Sequence, residues 1–165
     1  MEDGKIYYTV IDNICVIKMV GRIAYKISPN FDRFIEKIKN NSTVNNFVVD
    51  LREAAHIDST NLGLLAKLNR YSRTKSARPP TVISTKDNIN HLLLNIGFAA
   101  FFDIIDSMDD IQSTFNKLPH LKNAGEKITK VMLEAHRELA EMNETNHELF
   151  KDVIKYLEGD TTDKQ

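Results

Sequence analysis

Cysteine occurs once in the 165 residues, at Cys15, so an intrachain disulfide is excluded. Its neighbours Ile14, Val16 and Ile17 mark a packed strand position rather than a reactive thiol. No apolar run is long enough to cross a bilayer. Met1-Glu2-Asp3-Gly4-Lys5 lacks the basic-then-apolar order of a secretory signal. The formal net charge is −1, which gives no general attraction to nucleic acid or to an anionic membrane. A glycine-rich loop that could cradle phosphate is missing. His56, His91, His120, His136 and His147 stand at no metal-ligand spacing with one another or with Cys15, so neither a metal nor a cofactor is expected. Asp50 and Asp58 are not accompanied by a nucleophile–base set, so no enzymatic activity is expected. These absences leave a soluble, cytoplasmic protein as the expectation.

Apolar material is plentiful, at 42% of the chain, enough for one domain with an appendage. Ile6 to Ile11 and Ile14 to Val20 read as a hairpin around Asp12-Asn13, ended by Gly21. Ser28 reads as the cap of a helix with Pro29 at its first position and Phe31, Phe34, Ile35 and Ile38 as its apolar stripe. Phe47 to Leu51 has the β-branched and aromatic character of a buried strand, and Arg52 to Ile57 reads as a loop. Asp58, Ser59 and Thr60 can each cap a helix, and Leu62, Leu64, Leu65 and Leu68 follow at helical spacing, to about Ser72. Arg70, Arg73, Lys75 and Arg78 form a basic connection, best read as helix-end charge and a solvated loop. A strand at Thr81 to Ser84, a helix over Ile89 to Ile96 ended by Gly97, a strand at Phe101 to Ile105 and a helix from Ser107 to Leu118 complete the reading. Strands alternating with helices imply an α/β domain with a parallel or mixed sheet over residues 1–118.

Residues 119–165 differ in kind. Ile128, Met132, Ala135, Leu139, Met142, Asn146, Leu149, Val153 and Tyr156 recur in alternating steps of four and three, the seam of a coiled coil or a helical pair. Thr145 and Glu148 also form a capping-box pattern, so either one long helix or two helices broken near Asn143 to Asn146 fit. The extension can dimerise through its seam or cover a flank of its own domain. It carries seven basic and ten acidic residues, net −3, against fifteen and thirteen, net +2, in the domain before it. Gly159 to Gln165 reads as a polar, frayed end.

Asp58-Ser59-Thr60-Asn61-Leu62-Gly63, preceded by Val49-Asp50-Leu51, resembles the Asp-Ser-Ser/Thr-Gly-Leu-Gly motif of STAS domains, the fold of bacterial anti-sigma-factor antagonists. Leu92 to Phe98, Phe101-Phe102 and Ile104 to Ser107 fit the distal part of that family, and the likeness runs from about Lys5 to Leu118. The resemblance implies a mixed β-sheet faced by helices, here with a C-terminal helical extension. It also implies partner switching: an unphosphorylated Ser59 binds an anti-sigma factor, a serine protein kinase or another regulator, phosphorylation releases it, and a serine phosphatase resets the switch. Thr60 is the weaker candidate acceptor. The partner surface expected from the motif is His56, Ile57, Asp58, Ser59, Thr60, Asn61, Leu62, Gly63 and Leu64. Transcription, biofilm formation or motility are outputs the resemblance implies. Asn61 stands where the motif has glycine, and Asn tolerates unusual backbone angles. The alternative is a constitutive STAS interaction module that has lost the switch. Without the resemblance, Ser59 would be read as a helix cap and nothing more.

Overall fold

The computed structural model describes residues 3–119 and 121–163. Met1, Glu2 and His120 lie outside them, as do Lys164 and Gln165 of the polar end. Six strands form one mixed sheet: β1 (Lys5–Ile11), β2 (Ile14–Ile23), β3 (Asn46–Ile57), β4 (Thr81–Ile83), β5 (Asp103–Ile105) and β6 (Asn116–Lys117), in the order β5-β4-β3-β2-β1-β6. β1 and β2 are the expected antiparallel hairpin, and β2, β3, β4 and β5 run parallel. The helices are α1 (Ser28–Lys39), α2 (Ser59–Lys75), α3 (Asp87–Asn95), α4 (Ile128–Met142) and α5 (Glu144–Asp163).

Alternation along the strands divides the core. Cys15, Ile17 and Met19 of β2 and Phe47, Val49 and Leu51 of β3 point to one face, where Phe31, Ile35, Leu64, Leu65 and Leu93 of α1, α2 and α3 meet them. Val16, Val48 and Ile83 point to the other face, and Met108, Ile111 and Phe115 cover them. That second cover is irregular chain, so the helix expected from Ser107 to Leu118 does not form. The sheet itself explains why. β5 and β6 are opposite edges of six strands, about 24 Å apart at ~4.8 Å per strand. Ten residues of helix advance only about 15 Å, whereas an extended chain reaches about 33 Å. The segment therefore crosses the sheet extended, tied by a Thr9–Ser113 hydroxyl contact of 2.8 Å, before β6 pairs with β1.

The loop expected at Arg52 to Ile57 is strand. β2 and β3 stay paired through two register shifts, as far as Ile23 opposite Ile57, with Gly21 at φ 80°. Gly21 thus bends β2 rather than ending it. The Asp58 N–H donates to the Ile23 carbonyl at 3.1 Å, so the start of α2 is clamped to the end of the sheet. Ser28 is the first residue of α1 rather than its cap, and its hydroxyl donates to the Tyr25 carbonyl at 2.6 Å. Gly97 follows α3 in the left-handed region, at φ 82°.

The extension is a helical pair, broken at Asn143, whose extended backbone separates α4 from α5. The Asn143 side chain caps α5 by accepting from the Asn146 N–H at 2.7 Å, so the cap lies two residues before the Thr145 of the expected capping box. The break also divides the expected seam. Ala135, Leu139 and Asn146 are buried, while Leu149 (62% exposed) and Tyr156 (74% exposed) face outward. On α5, Phe150 and Leu157 face inward in their place. The two helices fold back on each other, and α4 lies across α2.

Candidate functional site

The site forms where β3 ends and α2 begins. Asp58 has extended backbone and caps α2. Its Oδ1 accepts from the Asn61 N–H at 3.0 Å and from the Asn61 side-chain amide at 2.9 Å. Asn61 sits inside the first helical turn, fully buried, and has ordinary helical backbone rather than a special angle. Its carboxamide therefore adds a second tie to the cap. Asn61 Oδ1 is buried with no hydrogen-bond partner among the described residues.

Ser59 is the first residue of α2 and half-buried. Its Oγ lies 2.9 Å from His136 Nε2 on α4. His136 is 4% exposed, and its Nδ1 lies 2.6 Å from the Met132 carbonyl. A carbonyl only accepts, so Nδ1 carries a proton; in the neutral ring Nε2 then presents its lone pair, and the Ser59 hydroxyl donates to it. The edge of the imidazole meets Phe150 of α5, with ring centres 5.5 Å apart. Sequence reasoning missed His136 as a partner of Ser59. A signal was present: Met132, Leu139 and Ala140 lie one turn to either side, which places His136 on the apolar face of its helix.

Gly63 is one turn further along α2, and a Cβ there would collide with the Ala135 carbonyl and Cα. Only glycine lets the two helices approach this closely. Beyond it, Arg70 grips Glu138 with Nε 3.0 and 3.2 Å from the two carboxylate oxygens. Hydrogen bond, backbone contact and ion pair thus run in line along the α2–α4 crossing. At the far end, the Asn146 side chain donates to the Ile96 carbonyl at 2.9 Å and ties α5 to the end of α3.

The expected partner surface is therefore divided. His56 is exposed, Asp58 and Ser59 are half-buried, and Ile57, Thr60, Asn61, Leu62, Gly63 and Leu64 are buried. The weaker acceptor, Thr60, is 2% exposed. The basic connection is engaged internally at three points. Arg70 holds Glu138, Arg73 stacks over Phe101, and Lys75 donates to the carbonyls of Ile38, Asn41 and Val44 near the end of α1.

A second ionic cluster braces α2 where it meets α1. Lys67, 8% exposed in its side chain, lies 2.7 Å from both Asp32 and Glu36 of α1. The Lys67 hydrogen bond holds the Glu36 carboxyl down at about 2, against burial, with help from the Tyr71 hydroxyl. On the other face of the sheet, burial pushes the Asp50 carboxyl up, but the Arg52 guanidinium and N–H outweigh it and leave Asp50 below its usual range. Burial pushes the Cys15 thiol up to about 12, so it is unreactive at neutral pH. Among the described residues no three His, Cys, Asp or Glu are grouped to hold a metal. No described helix is long and apolar enough to cross a membrane.

The sequence model of the STAS domain matches residues 5–111. No curated protein matches the chain. Among solved structures, an anti-sigma factor antagonist from Mycobacterium paratuberculosis is similar at 18% identity and TM-score 0.57, over 65% of this chain and 89% of its own. The anti-sigma factor antagonist SpoIIAA in its unphosphorylated form is similar at 13% identity and TM-score 0.54, over 64% of this chain and 90% of its own. The Bacillus cell fate determinant SpoIIAA in its phosphorylated form is similar at 14% identity and TM-score 0.51, over 64% of this chain and 92% of its own. At these identities the likeness is one of fold.

Proposed function

The chain belongs to the STAS domain family, and from that premise we propose that it is a cytoplasmic partner-switching regulator controlled by phosphorylation of Ser59. Unphosphorylated, it binds an anti-sigma factor, a serine protein kinase or a related regulatory protein. Phosphorylated, it releases that partner, and a serine phosphatase restores the first state. Transcription, biofilm formation or motility is the output. The domain comprises residues 1–118, and residues 119–165 are its extension. The chain acts by binding and catalyses no reaction.

The observation that carries this reading is the position of Ser59: a hydroxyl at the first position of a helix clamped to the sheet through Asp58. The positive end of α2 stabilises a phosphate there without unfolding the domain. A kinase transfers the γ-phosphoryl group of ATP to Oγ: the new P–O bond forms as the bond to ADP breaks, and the hydroxyl proton leaves to a kinase base. The product adds a charge of about −1.5 to −2 beside Asp58. An apolar or acidic partner surface that tolerated a neutral hydroxyl is then repelled.

The second reading is a constitutive STAS interaction module. It is favoured by the Ser59–His136 hydrogen bond, which gives the hydroxyl a structural role of its own. Titration calorimetry with the cognate partner separates the two. The switch predicts that Ser59→Ala binds at least as tightly as the wild type and that Ser59→Asp binds at least about tenfold more weakly, about 1.4 kcal/mol. Equal affinity of all three proteins would overturn it in favour of the constitutive module.

A further inference from the structure

The site described above has an occupant. α4 lies along the outer face of α2 and touches it at Ser59 through His136, at Gly63 through Ala135 and at Arg70 through Glu138. The structural relatives align with about two thirds of this chain and with nearly all of their own, and the family match ends at residue 111. The element that covers α2 is therefore an addition to the fold. Its attachment joins these polar and close contacts to an apolar stripe, Val131, Ala135 and Leu139, that continues the main core. A small residue sits at the crossing, one hydrogen-bonding side chain follows it, and one carboxylate lies a turn beyond. The underlying sheet has its own cover in α1, α2 and α3.

We infer that the α2 face bearing Ser59 is a helix-docking surface, that α4 is the strap holding it closed, and that a kinase or a partner reaching Ser59 does so by displacing α4. This rests on the proposed role of Ser59 for its purpose, but not for its test. The partner that replaces α4 presents an amphipathic helix of the same chemistry: a small residue opposite Gly63, and a carboxylate three positions later opposite Arg70, as in Ala135 and Glu138. Phosphorylation and the strap also exclude each other in the arrangement seen. A phosphoryl group on Oγ does not fit in the 2.9 Å between Oγ and Nε2. A phosphorylated Ser59 therefore loses its hydrogen bond to His136, one of the contacts that hold α4 on α2.

The test needs no kinase. In full-length Ser59→Cys, the introduced thiol reports access to the site while Cys15 stays silent, being fully buried with its thiol pushed up to about 12. Labelling by a soluble disulfide reagent is followed alone and with Gly63→Ala, whose methyl group acts as a wedge under Ala135. Hydrogen exchange is recorded in parallel. The expected result is labelling accelerated by about tenfold or more by the wedge, with protection lost over α4 and α5 and kept in α1, α2 and the sheet. Glu138→Arg, a change that leaves the domain core untouched, accelerates labelling several-fold, and Arg70→Glu added to it restores the slow rate. Labelling that stays the same while α4 and α5 lose protection would overturn the strap, as would unchanged protection in both variants. A protein that shows gated labelling yet takes no phosphate from its kinase would leave the strap standing and remove the phosphoswitch.

Discussion

Removing the Ser59 hydroxyl should loosen a helix 77 positions away in sequence. In Ser59→Ala, His136 Nε2 loses its donor while the ring stays 4% exposed. A buried polar atom left unsatisfied costs about 1–3 kcal/mol. Ser59 is half-buried, so water reaches part of the gap, and the lower end of that range applies, about 1–1.5 kcal/mol. His136→Phe keeps the ring packed against Phe150 and removes the acceptor. The freed hydroxyl turns to water, so this change costs less than Ser59→Ala. The double variant should cost less than the sum of the two, with a coupling energy of about 1 kcal/mol. Most of that cost falls on docking of α4 and α5 rather than on the sheet. The informative assay is therefore native-state hydrogen exchange, read helix by helix. About 1–1.4 kcal/mol corresponds to a roughly five- to tenfold rise in strap opening. Amides of α4 and α5 should exchange faster by that factor in Ser59→Ala, with those of β2 and β3 unchanged. Strict additivity of the two changes, or faster exchange throughout the sheet, would refute the assignment of this hydrogen bond as a latch.

Two further outcomes follow from the packing. Glu36 has a folded-state pKa of about 2, below the unfolded value of about 4.3. Its contribution to stability is therefore complete above about pH 4.3 and is lost as pH falls toward 2. Glu36 is 42% exposed in its side chain, which screens the effect. Lys67→Met should lower the melting temperature at pH 7 and flatten the decline between pH 4.3 and 2, read by calorimetry across that range. Gly97→Ala forces a side chain into φ 82° and against the Asn143 amide, at a cost of about 1–2 kcal/mol for the backbone alone. Because Asn143 caps α5, urea unfolding should shift to lower midpoint, and α5 should lose exchange protection before α4.

Much of the domain was legible because its signals are local. The hairpin around Asp12, the strand from Phe47 and the capped start of α2 each announce themselves within about six residues. β3 was read too short because its second half, Arg52-Glu53-Ala54-Ala55-His56, pairs through bulges that break the apolar alternation. The segment after Asp106 was read as a helix because Ile111, Phe115 and Leu118 have helical spacing. The distance between opposite sheet edges, a property of the finished topology, forbids it. The seam in the extension was real as far as Asn146, but no repeat in a sequence states whether its partner is a second copy or the chain's own α2. Ser59 could be singled out from its motif, whereas its contact with His136 depends on the fold of the whole chain.

The central claim is that Ser59 is the phosphoacceptor of a partner switch. The most direct measurement is phosphopeptide mapping after incubation of the wild type and Ser59→Ala with the cognate kinase and ATP. The account predicts one phosphate, at Ser59, in the wild type and none in Ser59→Ala. A wild type that stays unmodified, or a phosphate that persists in Ser59→Ala, would contradict it.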